Sequence, residues 1–534
     1  MNKFLLSAIP IALMCFTLST HAQAPVLGTS SNFALFSSNG AVTDAGMSLI
    51  TGNVGTNIGG PSSNFGNIDG VINDGNGTTL AAAADLTTAY NQLNAAVPDF
   101  FPASSLLGNG QTLTAGTYLI TEAATLTNTL TLDGGGNADA VFIFKIEGAF
   151  SSASGAQVLL TNGALACNVF WKVEGLVTLA TNTAMKGTIV ANNAAIVLNT
   201  GVSLEGRALS TTGAVTVSGV TVAMPLGCGV PVLTGPEPPQ LNSVVCYAVF
   251  SGNGAVTNDG VSFVTGDIGT NMELTTGFQA ENTTGTIHPG PDPSTAQCAA
   301  DLNNVYTYLN TLSTDIELLS PATFGQDLVL TPHTYLLNAA TALTGTLILN
   351  AQGNADAVFV IKINGALSTS TGATVSLQNG AQAKNVFWKI DGATSLNNDA
   401  TFKGTVIGNN GAVILNNGVA VEGRVLTTSG AISTFGINVQ ITAGCTTLGT
   451  NSPVLAKQSA RFYPNPFSNT LHVALEDNDA PSQLTIYNAL GAKTIDIHLS
   501  GSNTVVPINL PAGIYYYKLV DKNGLEQRGK LISK

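Results

Sequence analysis

The side chains that most often do chemistry are sparse in this 534-residue chain, and they do not cluster. Beyond the first 22 residues the histidines are His288, His333, His472 and His498, and none neighbours another. The acids fall mainly in turns: Asp133 and Asp139 flank a glycine run, and Asp356 follows Asn354. A glycosidase or polysaccharide lyase needs carboxylates, or an acid and a cation, converging in a groove. Glu205-Gly206-Arg207 returns as Glu422-Gly423-Arg424, but neither copy has a His or second acid close by. These are expected to be buried salt bridges that staple turns of chain together. Gly134-Gly135-Gly136 precedes a strand-like run at 140–146, whereas a phosphate loop opens a helix. The cysteines show no zinc spacing, and no EF-hand or nonapeptide calcium pattern occurs. No metal, cofactor or enzyme activity is therefore expected.

Composition narrows the field further. Only 9% of residues are charged, against about 25% in an average soluble protein. With 18 Lys and Arg against 31 Asp and Glu the formal charge is −13. Nucleic-acid binding needs a basic stripe and is excluded. A regular apolar pattern in 44% of residues argues against disorder. Residues 457–534 hold eight Lys/Arg and six Asp/Glu, so they form a different, weakly basic module. Residues 1–22 read as a secretory signal, with Lys3, an apolar run at 4–18 and Thr20-His21-Ala22 as cleavage site. After its removal no segment is long and apolar enough to span a membrane. Cys15 leaves with the signal, and Cys167, Cys228, Cys246, Cys298 and Cys445 remain, with Cys246–Cys298 the expected bridge.

The elements that must carry any site come in repeats. NADAVF occurs at 137–142 and 354–359, and NVFWK at 168–172 and 385–389, each pair 217 residues apart. Copy one spans 25–228 and copy two 240–446. A Pro-rich linker at 229–239 is expected to be a stiff spacer, a second linker covers 447–459, and a last domain covers 460–534. Within copy one Val158, Val177, Ile196 and Val215 recur every 19 residues, as do Val375, Thr394, Val413 and Ile432 in copy two. Short strands at that period with Gly/Asn turns are what a β-solenoid needs, because each turn can bury its apolar side only against its neighbours. One amphipathic helix per copy is predicted from Leu86, Tyr90, Leu93 and Val97, and from Leu302, Tyr306, Leu309 and Leu312. It should lie along the solenoid and seal one side. The Gly/Asn-rich segments 53–80 and 267–297 should cap the open end.

Strand alternation turns the residues between the apolar positions outward. They form one ladder of Leu159, Thr178, Val197 and Thr216, and a second of Ala184, Ser203 and Thr221. Copy two has Ser376, Ser395, Ile414 and Ser433, then Thr401, Ala420 and Asn438. None of these is charged or aromatic. Exposed strand faces usually carry Lys and Glu against association. Thr and Val also favour strands by propensity alone, and a ladder under the helix would be core. A flat grid of methyls and hydroxyls at the pitch of stacked strands, about 4.7–4.9 Å, otherwise suits a periodic solid. Methyls hold water in cage-like order and hydroxyls anchor it, so such a face can merge with ice.

NADAVF, ACNVFWKV at 166–173, LNTGVSLEGRAL at 198–209, and their counterparts KNVFWKI at 384–390 and LNNGVAVEGRVL at 415–426 resemble the microbial ice-binding proteins. The resemblance covers both copies. It implies a discontinuous right-handed β-solenoid of triangular section, a helix along one side, and adsorption to ice through one flat face. Copy two departs from copy one in having Lys384 for Cys167 and fewer threonines on its ladders. RFYPNPF at 461–467, LPAGIYYY at 510–517 and the tail KLISK resemble the type IX secretion sorting domain, which implies a small β-sandwich and export through that machinery to the outside of the cell. The expected fold is thus mainly β: two tandem right-handed β-solenoid (β-helix) domains, each with a long flanking helix, and a C-terminal β-sandwich. The leading function is a secreted, non-enzymatic ice-binding protein. The alternative is a cell-surface adhesin or spacer, which predicts exposed aromatic platforms. Trp171 and Trp388, the two tryptophans, sit in apolar strands and are expected in the core.

Overall fold

A computed structural model describes residues 22–229, 232–442, 460–475, 482–499, 501–520 and 526–534. The expected signal lies outside these apart from Ala22, as do Cys15, Pro231, Cys445 and the second linker. No helix among the described residues is long and apolar enough to cross a membrane.

In copy one, short parallel strands rich in Val, Ile, Thr and Phe stack into a solenoid with three faces. The first face is a seven-stranded sheet. A 13-stranded sheet folds round the opposite corner to make the other two. The fold line runs through glycine. Gly187 has φ +101°, and a Cβ on Gly206 would stand 1.9 Å from the Gly187 carbonyl oxygen. Only glycine lets strands Ala184–Ala191 and Ser203–Ser210 turn the corner while stacked. Turns elsewhere use left-handed asparagines, such as Asn182 and Asn193.

The order of the rungs is not the order of the chain. Strands Phe33–Asn39, Val42–Asp44 and Leu49–Thr51 pair with Ser203–Ser210, Val215–Val217 and Thr221–Ala223, so the first strands stack on the last. Residues 53–74 add one further turn at that end, as the expected cap. Helix α1 (Gly77–Ala95) then carries the chain back along the third face. There Ala82, Leu86 and Leu93 bury against Phe36, Ile143, Phe170, Val190 and Leu209. Val97 lies past the helix end and is exposed. Copy two repeats the plan with eight- and 14-stranded sheets and helix α2 (Pro293–Thr311).

The two solenoids meet end to end. Asp69, in the last turn of copy one, is buried and accepts hydrogen bonds from the Thr331 backbone N–H (3.1 Å), the Thr331 hydroxyl (2.7 Å) and the Tyr335 hydroxyl (2.5 Å) of copy two's first turn. Burial pushes its carboxyl up, against the pull of these donors and of His333. Asn67 and Ser320 exchange two 2.8 Å bonds beside it. The first linker is not a free spacer. Its Leu233, Thr234 and Glu237 carbonyls accept from Asn354, Val358 and Tyr308 of copy two.

Two expectations are corrected. Cys246 is disulfide-bonded, but Cys298 is a free thiol buried between α2 and the third face, so Cys246–Cys298 does not form; Cys167 pairs with Cys228. Glu205 does not pair with Arg207, because the glycine corner between them sends the two side chains to different faces. Arg207 is buried and donates to the Ser31 carbonyl (2.8 Å) and the Thr188 hydroxyl (3.3 Å). Burial lowers its pKa to about 10.

The C-terminal unit is two antiparallel sheets of three and four strands. They share a core that includes Phe467, Leu471, Leu484, Leu519 and Leu531.

Candidate functional site

The first face of copy one stacks strands Val42–Asp44, Val215–Val217, Ile196–Leu198, Val177–Leu179, Phe150–Ser152, Ala124–Thr127 and Leu106–Gly108. Their inward residues Val42, Val215, Ile196, Val177, Phe150 and Ala124 are buried. Their outward residues stand directly in register as Thr43, Thr216, Val197, Thr178, Ser151, Thr125 and Leu106. Hydroxyls occupy five of these seven places and none is charged. Neighbouring hydroxyls touch, Thr43 to Thr216 at 3.5 Å and Thr125 to Ser151 at 3.1 Å. The helix lies on the third face and leaves this row uncovered. Copy two presents Ala342, Ser368, Ser395, Ile414, Ser433, Thr257 and Thr276 in the same way.

Leu159 and Ser376 do not belong to these rows. Leu159 pairs with Thr131, and Ser376 with Ile348, on the second face. The 19-residue period holds from Val177 through Ile196 to Val215. The preceding rung, however, places Phe150, not Val158, beside Val177. That turn is longer because it carries the excursion around 162–168 with its short helix Ala166–Asn168. Counting back by 19 therefore lands on the next face. The same shift separates Ser376 from Ser395, since Leu367 is the partner of Thr394.

The second expected ladder, Ala184, Ser203 and Thr221, stands in register on the second face, as do Thr401, Ala420 and Asn438 in copy two. Two positions along the same strands are ion pairs, Lys186–Glu205 at 2.7 Å and Lys403–Glu422 at 2.8 Å. In copy two this face is also hollowed by a cavity of about 620 Å³ lined by Thr401, Lys403, Ala420, Glu422 and Asn438.

The densest charged cluster lies elsewhere, under the helix. Lys172 is buried and pairs with Glu147 (3.0 Å) and Glu174 (2.5 Å). Tyr90 of α1 donates to Glu174 at 2.7 Å. Burial, then Glu174, pushes the Tyr90 phenol up. Burial raises Glu174, but bonds from Asn192, Lys172 and Tyr90 outweigh it and hold the carboxyl low. Lys389, Asp391, Tyr306 and Asn409 repeat the arrangement in copy two. It tethers the helix to the third face. Trp171 and Trp388 are fully buried, with indole N–H groups donating to the Lys186 and Lys403 carbonyls (both 2.9 Å). Among the described residues no group of three or more His, Cys, Asp or Glu could hold a metal ion.

The Ice-binding-like family matches residues 36–223 and 250–440, covering both solenoids and well over half of the chain. The chain belongs to this family. The Secretion system C-terminal sorting domain matches residues 461–534. A crystal structure of an ice binding protein from an Antarctic Flavobacteriaceae bacterium is 70% identical, with TM-score 0.78 over 79% of this chain and 100% of that one. Among family relatives, an ice-binding protein of Nostoc sp. (strain HG1) is 38% identical over 39% of this chain and 79% of its own length. One from Flavobacterium frigoris (strain PS1) is 32% identical over 37% of this chain and 76% of its own. The expectations of an ice-binding family, tandem β domains and a sorting tail are met.

Proposed function

We propose that this protein is exported by the type IX route and adsorbs to ice through the first face of each solenoid, inhibiting ice growth and recrystallisation. The observation that carries the reading is the row of uncharged, outward side chains in register on seven stacked rungs, away from the face that the helix covers. The rungs repeat at about 4.7–4.9 Å, close to the water repeat of ice. Methyl groups of Thr and Val order the water above them, and the hydroxyls and backbone hold that layer. Adsorbed molecules then pin the growing front between them. Family membership, and relatives named for ice binding, support the same reading.

Within the expected residues this assigns contact to Thr178, Val197, Thr216, Ser395 and Ser433, and adds Thr43, Ser151, Thr125, Ser368 and Thr257. Thr178→Tyr together with Thr216→Tyr should lower thermal hysteresis several-fold while circular dichroism stays unchanged, because a ring lifts the face off the crystal. Undiminished hysteresis in the folded variant would reject the first face.

A further inference from the structure

The second face of copy one is built almost like the first. Gln157, Ala184, Ser203 and Thr221 stand in one outward row of it, and Thr131 pairs with Leu159 beside the start of that row. Unlike the first face it carries charge: Asp133 stands outward at the end of strand Thr129–Asp133, and an ion pair lies further in. Lys186 and Glu205 stand opposite each other on adjacent rungs in the middle of the face, with side chains 30% and 40% exposed. Lys403 and Glu422 hold the same place in copy two. A partly exposed pair of this kind contributes little to stability, so stability gives little reason for it. Its effect on water is larger. An ammonium and a carboxylate each bind their own hydration shell and resist losing it. A lattice of neutral water has no place for either shell.

Resting on the first-face reading, we propose that Lys186 and Glu205 are specificity-determining residues: they keep the second face of the first solenoid off ice and leave adsorption to the first face. The pair is a built-in exclusion device, as charged residues on exposed strands exclude other sheets. Without it the middle of the second face, around Ala184, Ser203 and Thr221, would carry no charge.

The test uses the full chain with both first faces blocked by Thr178→Tyr, Thr216→Tyr, Ser395→Tyr and Ser433→Tyr. Fluorescently labelled protein is offered to a single ice crystal, and thermal hysteresis is read in parallel. The blocked parent should label the crystal at least tenfold less than the unmodified chain. Adding Lys186→Thr with Glu205→Thr should restore labelling several-fold, whereas the charge swap Lys186→Glu with Glu205→Lys should not. Lys186→Gln with Glu205→Gln provides a second neutral variant should the threonine pair fail to fold. A folded neutral variant that labels no better than the blocked parent overturns the inference and leaves the first-face reading intact. Full labelling by the blocked parent overturns the first-face reading, and this inference with it.

Discussion

Thr43 and Thr216 are 173 positions apart in the chain, yet their hydroxyls lie 3.5 Å apart on neighbouring rungs. Nothing in the spacing of Thr43 marks it as a partner of the ladder, because it arrives there when the first strands stack on the last. The first-face reading therefore makes a demand that the repeat alone does not. Thr43→Tyr should lower thermal hysteresis about as much as Thr216→Tyr, with stability changed by no more than about 0.5 kcal/mol, as for other surface substitutions. Hysteresis equal to the unmodified chain would remove this rung from the contact. Leu159 gives the converse case. Its residue type suits a flat apolar face, but its rung partner Thr131 puts it around the corner. Side-chain type was readable for both residues, whereas face membership was not.

At the scale of elements, both helices were legible from their apolar stripes, and both begin with a reciprocal cap, Asn76 with Thr79 and Asp292 with Thr295. The caps differ in charge. The Thr295 backbone N–H, then His288, hold the Asp292 carboxyl below the ordinary carboxylate range. A carboxyl lowered by folding stabilises fully above its unfolded value and loses that contribution as the pH falls through its folded one. The Asp292 contribution should thus be complete above about pH 5, begin to fall near the unfolded aspartate value of about 3.9, and be lost only at the lower pH where the folded carboxyl itself takes up a proton. Asp292→Ala should cost about 1 kcal/mol, read as faster hydrogen exchange across Pro293–Thr311. Asp292→Asn should keep the cap and abolish its acid sensitivity. Exchange in α2 that is indifferent to both substitutions would show that tertiary packing alone holds the helix. The excursion at 162–168 was harder to foresee. It lengthens a turn of the first solenoid, as its counterpart with the short helix Ala383–Asn385 does in the second, without disturbing the hydrophobic alternation on either side, so the pattern carries no mark of the shift.

For the whole molecule, the end-to-end junction decides how the two candidate faces act together. Two sites on one chain raise avidity only when their geometry allows both to engage. The linker prolines suggested that the spacer sets this geometry, but Asp69 and its three donors tie the solenoids directly. Asp69→Ala leaves the Thr331 backbone N–H without its acceptor in a buried place, at about 1–3 kcal/mol, while the Tyr335 hydroxyl keeps the Thr331 carbonyl (2.6 Å) and the Thr331 hydroxyl keeps His333 Nδ1 (3.2 Å). Energy transfer between dyes on the two solenoids should then report a broader distance distribution, and hysteresis should fall toward that of one domain. A distribution as narrow as in the unmodified chain would mean that the remaining contacts suffice. The sequence by itself determined the repeat, the mainly β class, the two helices, the sorting tail and the scarcity of charge on outward positions. All of these follow from local alternation and composition. Only the tertiary structure decided which outward residues share a face, that ion pairs mark the second face, and that the solenoids dock. Those depend on register between rungs. Register is set by the longer turn, the glycine corners and the return of residues 33–51 to the far end, and none of these is a local property of the chain.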